Sequence, residues 1–164
     1  MGFELTILGS SSATPIYNRH PTSQLLSIRD HIFLIDCGEG TLMQLLNYRI
    51  KYHRISRIFI SHLHGDHYLG LLGLISTFHL QGRTGDLHIY GQQELMDIIE
   101  LQLRISNTHL RYNLIFHAVR HYTPEIIFED DKVVVKTIPL KHRVYTNGFL
   151  FQEKIGVRAV RVAL

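Results

Sequence analysis

A mixed α/β layer structure is the fold class this sequence predicts, and three observations predict it. Short runs that alternate apolar and polar residues, or that are continuously apolar, recur from the first residues onward. Stretches with apolar residues three and four apart fall between them. The two kinds alternate along a chain of 164 residues, a length that makes one domain, residues 1–164, with a real core.

The elements follow in order. Residues 3–8 alternate as Phe-Glu-Leu-Thr-Ile-Leu, a strand. Residues 24–28 and 32–35 are two more, and Arg29-Asp30 near their junction predicts a hairpin. Leu42, Leu45, Leu46 and Ile50 lie on one face of a helix. A buried strand is expected at residues 57–60, a helix at 69–80 and a strand at 87–90. Leu95, Ile98, Ile99 and Leu103 mark a further helix. Strands at 114–116, 132–138 and 148–151 complete the series, and Asp130-Asp131 reads as a turn whose carboxylates go to solvent rather than to a ligand.

Composition narrows the class. An apolar content of 45% with 19% charged residues describes a globular protein rather than a disordered one. The formal charge of +3 and a pI near 9.1 are compatible with an RNA partner without singling one out. The one cysteine, Cys37, excludes an internal disulfide, suits a reducing cytoplasm and reads as a small core residue. No apolar run approaches the ~20 residues that span a bilayer, and the N-terminus lacks the pattern of a signal peptide, so no membrane partner is expected.

Ser61-His62-Leu63-His64-Gly65-Asp66-His67 is the most informative stretch. Four candidate metal ligands, His62, His64, Asp66 and His67, follow a strand end and precede a helix. Rigid backbone aims such ligands and a loop lets them converge. On extended backbone His62 and His64 point the same way, and Gly65 lets the chain turn before the second pair, a spacing that suits two adjacent ions. Packing is a poor alternative account, since so many buried polar atoms would each need a partner.

The run from His62 to His67 resembles the His-x-His-x-Asp-His signature of the metallo-β-lactamase fold superfamily, and with Ser61 it resembles the ribonuclease Z branch. Segments 8–15, 33–41, 81–84, 89–91 and 108–110 fit that branch, as does Ile138-Pro139-Leu140-Lys141-His142 followed by residues 148–154. The resemblance implies the first half of an αββα sandwich, incomplete in itself. It implies that His62, His64 and His142 hold one ion and that Asp66 and His67 hold a second. The ions would be Zn2+, two per complete site, with Mn2+ as the alternative. It implies Asp66 as the proton acceptor, precursor tRNA as substrate, 3′-trailer removal as reaction, a homodimer as assembly and the cytoplasm as location.

The chain also departs from that branch. The family takes a bridging Asp and a final His from its second half, and no Asp or His follows His142 here. The second sheet is expected to be missing, which would leave an apolar face open. A small-molecule phosphodiesterase or ester hydrolase of the same fold, and a non-catalytic half-site, are the alternatives in view. Asp36 is expected either to fix the tautomer of a ligand His or to cap a helix. The loop at residues 9–14 could bring backbone N–H groups to a phosphate or be an ordinary turn. Arg83 and Arg111 are candidates for RNA phosphates or for plain surface.

Overall fold

A computed structural model describes residues 2–120 and 122–154. Six strands form the first sheet in the order β1 (Phe3–Gly9), β2 (Ser23–Ile28), β3 (His31–Ile35), β4 (Arg57–Phe59), β5 (Leu87–Gly91) and β6 (Leu114–Ala118). The first three are an antiparallel meander, and β3 to β6 run parallel. The predicted hairpin forms, with Ile28 paired to His31 and Arg29 at a positive φ of 57°. The parallel part is built through crossovers that contain helices, the connection such pairs require. These helices are α1 (Thr41–Asn47), the short α2 (Gly65–Tyr68), α3 (Leu71–Leu80) and α4 (Gln93–Ile105).

Alternation along the strands divides the core in two. Leu34, Ile58 and Ile89 face α1, α3 and α4, burying Leu45, Leu74, Ile75, Phe78, Leu95 and Ile99. Phe33, Phe59 and Tyr90 point to the other face. There they meet a second sheet of three antiparallel strands, β7 (Ile126–Glu129), β8 (Val133–Leu140) and β9 (Thr146–Glu153).

That second sheet corrects the expectation that the first would stand alone. Phe59 stacks on Tyr90 at 4.5 Å between centroids and lies 5.4 Å and 5.2 Å from Phe149 and Phe151. Aromatic rings supply much buried area per residue, so a few positions weld the layers. The cover does not reach β1. Phe3, Leu5 and Ile7 share a face with Leu26 and Ile28 but remain about half exposed. Strand β7 went unread in the sequence because it has four residues directly after Pro124 and Glu125.

Candidate metal centre

The site forms where β3 and β4 end. Beyond β3 the chain enters Asp36, whose φ of 56° is left-handed, a conformation an Asp tolerates better than most side-chain-bearing residues. The Cys37 N–H donates to the carbonyl of His67 at 2.7 Å, and the Gly70 N–H donates to the carbonyl of Cys37 at 2.9 Å. The histidine loop is thus tied to the exit of the neighbouring strand. The tie requires glycine, since a Cβ on Gly70 would stand 2.2 Å from the Gly38 carbonyl oxygen.

His142 arrives from the other sheet. It sits in the loop between β8 and β9, closed by the pairing of Leu140 with Thr146. The Asn147 N–H donates to the Ser61 carbonyl at 3.0 Å, and Gln92 Nε2 donates to the Tyr145 carbonyl at 2.6 Å. Two bonds therefore hold this loop against the first sheet.

Nε2 of His62 lies 3.0 Å from Nδ1 of His64, which lies 3.5 Å from Nε2 of His142. One ligand atom from each of the three falls within 4.8 Å of the others. Nitrogens bound at 2.0–2.1 Å to a tetrahedral ion stand roughly 3.3 Å apart. The trio therefore fits a metal ion by donor type and by spacing. Beside it, Nε2 of His67 is 3.5 Å from Oδ2 of Asp66, and the rings of His62 and His67 are 4.0 Å apart. All five residues line one open cleft of about 550 Å3.

The surroundings set the charge of each group. Burial, then the neighbouring His67 and His64, pull His62 down to about 4, so its ring is neutral at physiological pH. Burial opposes ionisation of Asp66, but the Ala13 N–H at 2.7 Å and nearby His67 prevail and hold the carboxyl below its usual range. Burial likewise opposes a charged His67, yet its bond to Asp36 raises it above the ordinary value. Cys37 is fully buried, and burial pushes its thiol up to about 12, consistent with a core residue.

Of the two expected roles for Asp36, the geometry selects one. Its Oδ2 is 2.8 Å from Nδ1 of His67, while Oδ1 accepts the Ser61 N–H at 2.8 Å. Helix α1 has Gly40 as its N-cap residue and no side-chain cap. The carboxylate thus orients His67 with Nε2 turned toward Asp66. In the first loop, the Ala13 N–H is committed to Asp66, so it holds the carboxylate rather than a phosphate.

Arg83 is corrected outright. Its guanidinium donates to the carbonyls of Gly85, His53, Ile55 and Asp86 and stands over the Phe78 ring, so it stitches loops together. Arg111 is exposed and lies outside the cleft. Sequence reasoning missed Ser61 and Arg143. The Ser61 hydroxyl is within 3.2 Å of Asp36, His62 and His67, and Arg143 reaches to 3.4 Å from Nε2 of His64. Adjacency to a ligand was the available signal for both.

Known proteins agree on the fold. Residues 3–159 match a family model described as Anti-Pycsar protein Apyc1. Ribonuclease Z of Bacteroides thetaiotaomicron is 50% identical over 152 residues, 93% of this chain and 48% of that protein. Ribonuclease Z of Porphyromonas gingivalis is 40% identical over 161 residues, 98% of this chain and 53% of its own length. The crystal structure of human tRNase Z, short form, superposes with a TM-score of 0.83 at 34% identity, covering 91% of this chain and 64% of that one. A Bacillus subtilis metallo-β-lactamase fold protein, at 20% identity and a TM-score of 0.67, shares the fold; the match covers 90% of this chain and 56% of that one. The chain spans about half the length of the curated relatives it matches. It belongs to the family described as Anti-Pycsar protein Apyc1, within the metallo-β-lactamase fold, and in sequence it resembles about half of ribonuclease Z.

Proposed function

We propose that this chain carries the metal-binding half of a phosphodiester-hydrolysing centre, and that its reaction is removal of 3′ trailers from precursor tRNA. The observation that carries the reading is the convergence of His62, His64 and His142 beside the pair Asp66 and His67. The 50% identity to a ribonuclease Z supports the choice of substrate.

In this reading His62, His64 and His142 hold one Zn2+, and Asp66 with His67 holds a second, Mn2+ being the alternative. Such an ion pair, when bound, acidifies a water molecule and neutralises phosphate oxygens. The side chains do the rest. His62 offers a lone pair because burial keeps it neutral. Asp66, kept ionised by the Ala13 N–H, takes the proton of the attacking water. Asp36 and Ser61 hold His67 in one tautomer. No Asp or His follows His142, so the reading assigns no bridging carboxylate among these residues. A homodimer and a cytoplasmic location go with the reading; among the described residues no helix is long and apolar enough to cross a membrane.

The test sets cleavage of a 3′-extended tRNA against hydrolysis of a small aryl phosphodiester. Zinc per chain is measured by elemental analysis on the same protein. Cutting after the discriminator, abolished in Asp66→Ala, is the expected result. Turnover of the small ester without RNA cleavage would replace it with a small-molecule phosphodiesterase or ester hydrolase. Neither activity, with at most one ion per chain, would leave a non-catalytic half-site.

A further inference from the structure

Arg143 follows His142 directly in the loop between the two strands of the second sheet, and it lines the same cleft. Among the described residues no carboxylate pairs with it. What its Nη2 meets is Nε2 of His64, at 3.4 Å. The other nitrogen of that ring, Nδ1, is the one turned toward His62 and His142. A neutral imidazole has one in-plane lone pair and one N–H. With the lone pair of Nδ1 given to an ion, Nε2 carries the hydrogen. A guanidinium has five donors and no acceptor. His64 Nε2 and Arg143 Nη2 then face one another as two donors, and neither can satisfy the other.

We propose that Arg143 and the Nε2–H of His64 form an anion subsite that holds a non-bridging oxygen of the substrate phosphate at the rim of the metal centre. The proposal rests on the metal reading above, because the ion on Nδ1 is what puts the hydrogen on Nε2. Two donors this close share one requirement, an oxygen carrying negative charge. Arginine suits the place, since its charge does not titrate and its planar fork matches a phosphate. The side chain binds and positions substrate; it transfers no proton.

Inorganic phosphate is the probe. Its affinity for the full zinc-loaded chain is measured by titration calorimetry for wild type, Arg143→Gln and Arg143→Lys, with zinc per chain determined on each sample. The expected result is binding about ten- to hundredfold weaker in Arg143→Gln at unchanged zinc, with Arg143→Lys recovering part. Equal affinity in wild type and Arg143→Gln, or no phosphate binding by zinc-loaded wild type, overturns the subsite alone. Zinc lost from Arg143→Gln also overturns it, since Arg143 would then support the ligands. A wild-type chain that takes up no zinc fails the metal reading and removes the subsite with it.

Discussion

The two faces of the six-stranded sheet are covered to very different extents. Toward the helices, Leu34, Ile58 and Ile89 are wholly buried, and the core runs unbroken to Phe78 and Leu95. Toward the second sheet, Phe33 and Phe59 are equally buried, yet Phe3, Leu5 and Ile7 of β1 are 53%, 50% and 48% exposed. The histidine trio stands at the end of the covered part, where the loop between β8 and β9 crosses to β4. Local packing under the site, rather than closure of the whole sandwich, is what brings His142 to His62. The bare strip on β1 is remote from that task.

Phe59→Ala should break this arrangement most severely. The ring touches Phe33, Tyr90, Phe149 and Phe151, and its loss should cost about 3–5 kcal/mol in urea denaturation. A loss below 1 kcal/mol would mean the two sheets are not welded there. Asp36→Asn is an intermediate case. It keeps the shape but weakens the partner of His67, and zinc affinity measured by competition with a chelator should fall about 10- to 100-fold. Unchanged affinity would show that Ser61 and the backbone hold the ring unaided. Leu5→Ser should do least. Stability should shift by no more than about 0.5 kcal/mol, because half the side chain already meets water. A large loss would mean that β1 is covered in solution, for example by a second copy.

The same contrast explains what was legible in the sequence. Eight strands and three helices announced themselves because burial on one face writes a period of two or 3.6 into the residues, and burial on both faces writes a continuous apolar run. Strand β7 did not, although β4 is shorter still: Pro124 and Glu125 before it and Asp130-Asp131 after it make the whole stretch read as loop. The ligands from His62 to His67 were readable because they are local in sequence. His142 needed the family pattern, since nothing in spacing tells a reader that residue 142 crosses to residue 64. Asp36 was legible as a polar residue at a strand end, but its choice between capping and orienting depended on the register of β3 against β4. Arg83 misled for a related reason. An arginine in a glycine-bearing loop looks free until the loop carbonyls are seen to converge on it.

Cys37 carries a practical consequence. Its sulfur is sealed in the core, while its backbone N–H and carbonyl fasten the loop that bears His67 and Gly70. A thiol reagent can therefore reach the chain's one cysteine only after that loop has come away from β3. The protein thus contains its own reporter, at a single position, of how often the histidine loop opens. An ion that clamps the loop would be visible as a slower colour change, with no label added and no residue altered.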